Sequence, residues 1–297
     1  MTALTRRGFL ASAALGPAIL GMTDYGMKDA HAQPFKGKIR KSLYWGMLPK
    51  EQSIEERFGI IKRTGFAGVE IPTLETPGEV AEFKAAAQKT GVPIHSIMNQ
   101  AHWRYPLSSG DAETVKTSIE GMETSLRNAH DFGAETVLLV PAVVNAETSY
   151  RDAYVRSQRQ IKKLLPLAEE LNIVIAVENV WNKFLLSPIE FARYVDEFES
   201  PYLKSYFDVG NIALYGFPQD WIRTLGKRIA KLHIKGFDVK EKKFTNILDG
   251  TIDWLEVRKA LSDIGYDGYM GAELEGGDEA YLADVSARMD RIIAGRV

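Results

Sequence analysis

The sequence predicts a single-domain α/β protein built as a closed (β/α)8 TIM barrel, and three observations lead there. Between residues 39 and 294, eight short apolar runs alternate with amphipathic segments, the pattern of parallel βα units. No linker or shift in composition divides this stretch, and a barrel of this kind uses about 250 residues as one domain. The first apolar run leads into Tyr44-Trp45-Gly46-Met47-Leu48-Pro49, where an open dinucleotide-binding sheet would carry a glycine-rich loop.

Taken in order, the first strand is expected at residues 40–46. Ser53…Glu56 then reads as a capping box, in which hydroxyl and carboxylate each satisfy a backbone N–H at the start of a helix. Strands follow at 67–71 and 93–98. Val115, Ile119, Met122, Leu126 and Ala129 recur at helical spacing before a strand at 136–141. Ile161, Leu164, Leu165, Ala168 and Leu171 do the same before a strand at 173–179. Pro166 falls inside that second pattern, lacks an N–H donor and should kink the helix. Ser187…Glu190, with Pro188 in the first turn, opens the next helix, and strands are expected at 203–208 and 229–235. Asp253…Glu256 starts a helix carrying Trp254, Val257, Leu261 and Ile264, and the last strand spans 268–274.

Composition excludes several classes of function. The net charge of −2 gives no basic field to attract nucleic acid or an anionic membrane. The absence of cysteine removes thiol catalysis, disulfides and cysteine-ligated zinc. Residues 1–32 read as a cleavable export signal, leaving residues 33–297 as the domain. Arg6-Arg7 precede Phe9-Leu10 and the apolar stretch ASAALGPAILGM, and Ala30-His31-Ala32 supplies a small-residue cleavage pattern before Gln33. That apolar stretch is too short for stable membrane insertion. The paired arginines resemble a twin-arginine signal, which implies the twin-arginine export machinery as a partner and a periplasmic or secreted protein. A homo-oligomer is compatible with the sequence.

Four candidate strands end on a metal-competent side chain: VIAVE on Glu178, KSYFD on Asp208, AKLH on His233 and YMGAE on Glu273. An ionised carboxylate at the end of a buried strand is costly unless it is paired or bound to a cation. Active sites of (β/α)8 barrels lie at the C-terminal strand ends, so these four side chains can converge on one divalent ion. A set of three carboxylates and one imidazole suits Mn²⁺ first, with Mg²⁺, Co²⁺ or Zn²⁺ as alternatives. Glu275 has the same strand parity as Glu273 and is its rival. Taken singly, each group also reads as a hydrogen-bonded residue of the barrel rim.

The segments AVENVWNKFLLSP, YFDVGN, KLHIKGFD and DGYMGAELEGGD resemble the xylose isomerase-like TIM-barrel superfamily. That group includes sugar isomerases, ketose 3-epimerases, hydroxypyruvate isomerases and metal-dependent apurinic endonucleases. The resemblance implies that Glu178, Asp208, His233 and Glu273 hold one divalent metal, and that Glu178 and Glu273 double as the proton-transfer pair. It departs at three positions where ketose 3-epimerases usually carry substrate-orienting Glu, His and Arg. Here those are Phe184, Asn211 and Val239. Asn211, and the presence of only His95, His102, His130 and His233 after residue 32, leave a three-metal nuclease without its ligands.

Around this set, Glu70, His95, Lys235, Trp45 and Trp181 are candidate substrate contacts, with His102 and Trp103 as further mouth residues. Lys235 shares strand parity with His233, and tryptophan faces suit the C–H face of a sugar. The leading expectation is an isomerase or epimerase of a small carbohydrate that moves a proton through an enediolate. A lyase or hydrolase of a keto-sugar or keto-glycoside, and a non-catalytic sugar-binding protein, are the alternatives.

Overall fold

The computed structural model describes residue 35 and residues 37–297; the export signal expected over residues 1–32 lies outside them. Strands β1 (Arg40–Tyr44), β2 (Gly68–Pro72), β3 (Ile94–Met98), β4 (Thr136–Leu139), β5 (Val174–Glu178), β6 (Leu203–Asp208) and β7 (Ile229–Ile234) follow one another around a ring. An antiparallel hairpin, β8 (Gly236–Asp238) and β9 (Lys243–Thr245), intervenes before β10 (Tyr269–Ala272) closes the barrel between β7 and β1. Among the described residues the ring has eight strands, parallel at every pairing. It is the expected (β/α)8 barrel.

Helices fill the connections: α1 (Ile54–Arg63), α2 (Pro77–Thr90), α3 (Ala112–Phe132), α4 (Tyr150–Glu170) and α5 (Pro188–Asp196). They are followed by α6 (Val209–Ile212), α7 (Pro218–Leu225), α8 (Trp254–Asp263) and α9 (Glu279–Ala294). Their starts are chemical. Ser53, Ser187 and Asp253 accept the backbone N–H groups of Glu56, Glu190 and Glu256. The fully reciprocal capping box belongs to Thr76 and Glu79, with Pro77 in the first turn of α2. α4 continues past Pro166 to Glu170.

Two register shifts decide what lines the barrel. Val69 pairs with Ile94 and Glu70 with Ser96, so His95 is an extra residue in β3. Ser205 pairs with Ile229 and Tyr206 with Lys231, so Ala230 is an extra residue in β7. Such bulges re-aim side chains that simple alternation would send outward. His95 accordingly stacks flat on Tyr269, ring centroids 3.9 Å apart, near the N-terminal end of the barrel. Tyr269 also carries the Arg40 guanidinium 4.0 Å from its ring centroid. A small apolar layer of Leu138, Ala176 and Tyr206, joined by Met98 and Ala230, is separate from the main core between sheet and helices. Ala176 and Tyr206 lie two residues before Glu178 and Asp208, which puts this layer directly beneath the C-terminal mouth.

At the N-terminal end Lys231 is 2% exposed and its ammonium pairs with the Glu135 carboxylate. A buried cation that loses its partner is more costly than no cation at all. Glu135→Gln should therefore lower stability by roughly 2 kcal/mol. Adding Lys231→Met to it should restore most of that loss, as urea unfolding of the single and double variants would measure.

Trp45 corrects an expectation. The first strand stops at Tyr44, and Trp45–Met47 forms one 3-10 turn. The turn buries the indole between Phe58 and Phe83, at 5.3 and 4.8 Å, under the Arg57 guanidinium. Trp45 therefore sits in the core rather than at the mouth.

Candidate metal centre

The C-terminal ends of four neighbouring strands bring the four expected side chains together. Glu178 closes β5, Asp208 closes β6 and pairs in register with His233 of β7, and Glu273 follows the last residue of β10. One ligand-competent atom from each lies within 4.8 Å of the others. Glu178, Asp208 and His233 are buried, and Glu273 is half-buried and faces the opening. His233 Nδ1 stands 3.0 Å from Glu178 Oε1 and 3.6 Å from Glu273 Oε2. The Glu275 carboxylate is outside the cluster and exposed.

Lys235 lies at the same mouth. Its ammonium hydrogen-bonds Glu273 and lies 3.1 Å from Asp208 Oδ2, with the Phe244 ring 5.2 Å away. Asp208 is held from its other side. Its Oδ1 accepts the Asn211 N–H at 2.6 Å, and its backbone N–H and C=O both bond the Asn179 side chain. Asn211 Nδ2 in turn donates to the Asn179 carbonyl at 3.0 Å. The two asparagines thus tie the ends of β5 and β6 together, which is the work Asn211 does in this chain. Phe184 is buried beside Tyr150, Tyr154 and Tyr194, and Val239 is exposed.

The donor set fits a divalent cation on electrostatic grounds. Glu70, Glu178, Asp208 and Glu273 crowd four carboxylates around His233 and Lys235, which supply at most two positive charges. Asp208 Oδ2 is buried and makes no hydrogen bond beyond its ion pair with Lys235 at 3.1 Å. Burial pushes Glu178 up to about 7 despite its His233 hydrogen bond, and Glu273 and Asp208 add to the rise. Burial raises Asp208 as well, against the pull of Lys235. Glu273 is the exception: His233 and Lys235 outweigh burial and hold its carboxyl below the usual range. Burial alone would lower His233, but Glu273, Glu70 and Glu178 hold it well above its ordinary value. Oxygen donors with one imidazole and surplus negative charge are what a divalent-cation site offers.

The substrate candidates divide. Trp181 is at the mouth, stacked on Phe244 of β9 at 4.9 Å, with its indole N–H donating to the Asn211 carbonyl. Trp103 and His102 line the same cavity of about 250 Å³ together with Glu178, Lys235 and Glu273. Glu70 does not reach the opening. It is mid-strand and buried, and its Oε1 lies 2.9 Å from His233 Nε2, beneath the cluster. His95 is deeper still, on the Tyr269 stack, with both ring nitrogens unpartnered. Sequence reasoning passed over Tyr44 and Tyr281, which line an outer cavity of about 560 Å³ with Glu275. Tyr44 shares inward parity with Ser42 and Arg40, a usable signal. The β8–β9 hairpin that supplies Phe244 had no comparable one.

Comparison with known proteins agrees with this architecture. The family model described as xylose isomerase-like TIM barrel matches residues 58–291. Among curated proteins the chain is similar to the putative L-ribulose-5-phosphate 3-epimerase SgbU of Escherichia coli (strain K12), with 27% identity over 265 residues. That alignment covers 83% of this chain and 93% of the relative. Among solved structures, a D-tagatose 3-epimerase-like protein superposes with a TM-score of 0.76 at 18% identity, covering 86% of this chain and 98% of the other. The apo form of 3-keto-D-glucoside 4-epimerase YcjR from E. coli gives 0.73 at 17% identity, covering 86% and 99%. With the family model spanning more than half of its length, the chain belongs to the xylose isomerase-like TIM-barrel family.

Proposed function

We propose that this chain is a divalent-metal-dependent epimerase or isomerase of a sugar or sugar derivative. The observation that carries the reading is the meeting of Glu178, Asp208, His233 and Glu273 within 4.8 Å at the mouth of the barrel. The similarity to a putative sugar-phosphate 3-epimerase supports the reaction class.

Those four residues would hold the cation, Mn²⁺ being the best match to the donor set. When bound, the ion supplies Lewis-acid polarisation of a substrate carbonyl, which acidifies the neighbouring C–H. The remaining work is done by the chain. Glu178 and Glu273 approach His233 Nδ1 and both line the cavity, so a sugar there lies within reach of both carboxyl groups. One carboxylate removes the proton on the carbon next to the carbonyl, leaving an enediolate, and the other carboxyl returns a proton. Glu178 can accept and return that proton because its carboxyl group lines the cavity, a bound cation offsetting the rise in pKa that burial gives it. Lys235 keeps Glu273 ionised and pinned through its hydrogen bond. Trp181 and Phe244 present aromatic faces to the C–H side of the ring.

The test is solvent exchange with the metal-loaded protein in D₂O. Converted sugar should carry deuterium on the carbon that changes configuration, and chelation should abolish both conversion and label. A protein that takes up no divalent ion, or one that labels and converts no ketose or keto-sugar offered, would sink the proposal.

A further inference from the structure

We infer that the substrate of this site is an uncharged glycoside carrying a ring ketone, whose sugar sits over the metal cluster and whose aglycone lies in an apolar groove beside it. The inference rests on the proton-transfer reading above and names its substrate class.

The groove runs along the segments after β5 and β6 and has a volume of about 370 Å³. Trp181, Phe184, Leu185, Leu186, Ile212 and Tyr215 form its walls, and Lys183 is its one charged lining residue among those described. Leu186 and Tyr215 are 59% and 61% exposed, an unusual outlay of apolar surface at the edge of a catalytic mouth. The groove is continuous with that mouth, because Val180, Trp181 and Asn211 line both. A molecule seated over Glu178 and Glu273 that extends past Trp181 enters it.

The wall is a built feature. Lys183 and Leu185 both hold left-handed backbone conformations, at φ 60° and 54°, which cost side-chain-bearing residues energy and persist only when surroundings enforce them. Here the Asn182 side chain spans the Ala142 carbonyl and the Phe184 N–H. The Tyr150 hydroxyl accepts the Leu185 N–H and donates to Glu190, whose carboxylate also accepts the Leu186 N–H. Three consecutive backbone N–H groups are thus spoken for, and the apolar side chains between them are held facing outward or into the wall.

Charge argues against a phosphorylated or acidic substrate. Among the described residues lining the two mouth cavities, Lys235 is the one Lys or Arg side chain, and it is engaged by Glu273 and Asp208. Glu178, Glu273 and Glu275 line the same space. A phosphate there would face surplus negative charge with no free cation to receive it.

A glycoside has its anomeric carbon locked as an acetal, so a proton can be made acidic only by a ketone elsewhere on the ring. Proton removal beside that ketone and return to the opposite face balances without oxidant or reductant. The reaction that supplies such a substrate must therefore be the oxidation of a ring hydroxyl.

Deuterium exchange by the metal-loaded protein on phenyl and methyl 3-keto-β-D-glucopyranoside, with L-ribulose 5-phosphate alongside, tests the idea. The phenyl compound should be exchanged with kcat/KM at least about 10-fold above the methyl one, mostly through KM. Both should exceed the phosphate. Tyr215→Ala and Leu186→Ala should pull the phenyl-to-methyl ratio toward one. Equal rates for phenyl and methyl compounds, or preference for the phosphate, overturn the inference while leaving the proton-transfer reading intact. A dimer that Tyr215→Ala dissociates without changing the ratio assigns the groove to a second copy and overturns it too. Exchange with none of the compounds, by protein that also takes up no metal, is failure of the underlying reading.

Discussion

Glu178→Gln is expected to lower kcat for proton transfer by about 10³-fold or more, and to cost the protein most of its bound metal without unfolding it. The amide keeps the shape of the side chain and can still meet His233, but it can neither take a proton from carbon nor contribute a negative charge. The expected effect on the fold is opposite in sign. Glu178 is buried beside Asp208 and Glu273, and burial together with these two carboxylates raises its pKa from 4.5 to about 7. A raised carboxyl pKa contributes stability that is fully present below the unfolded-state value and is lost as pH rises through the folded one. Metal-free wild-type protein should therefore lose stability relative to the glutamine variant between pH 4.5 and about 7. The amplitude should be roughly 2–3 kcal/mol. Thermal unfolding of both apo-proteins across that window, with metal content and turnover of the loaded forms, measures all three effects. A variant that retains wild-type turnover would remove Glu178 from the chemistry.

The fold was legible because burial on both faces of a parallel strand produces a short apolar run, and the eight expected runs are eight strands whose ends differ from expectation by at most two residues. The cluster was legible for a related reason. A polar residue at or next to the last position of a buried run has one place to go, the barrel mouth; Glu178 and Asp208 are the last residues of β5 and β6, and His233 is one residue short of the end of β7. The misplaced residues fail the same logic in identifiable ways. Glu70 was expected to contact substrate at the mouth, but β2 continues through Ile71 and Pro72, so its carboxylate lies one layer down. His95 faces inward because a bulge breaks the alternation on which parity arguments depend. Trp45 left the mouth because a 3-10 turn, which has no periodicity to detect at three residues, swung it into the core. The β8–β9 hairpin has strands of three residues each, too short for a pattern. It is nonetheless what carries Phe244 to Trp181.

Glu70 provides the second large effect, because its displacement from the mouth changes its task. Its Oε1 lies 2.9 Å from His233 Nε2, while Nδ1 of the same ring faces Glu178 and Glu273. A carboxylate accepting the Nε2 proton fixes which nitrogen stays free for a cation and which way the ring is turned. Tyr206, 4.4 Å from the His233 ring centroid, closes the space on another side. Glu70→Leu should therefore weaken metal binding by about 10- to 100-fold, because the Nε2–H is left buried without an acceptor. Glu70→Gln, whose amide oxygen can still accept that hydrogen, should fall between the leucine variant and wild type. Metal titration of the folded apo-proteins reads this directly, and substrate KM measured at saturating metal separates the two tasks. A positioning residue changes the metal dissociation constant and leaves KM near wild type once the site is filled. A residue in contact with sugar, as its sequence position first suggested, would do the reverse.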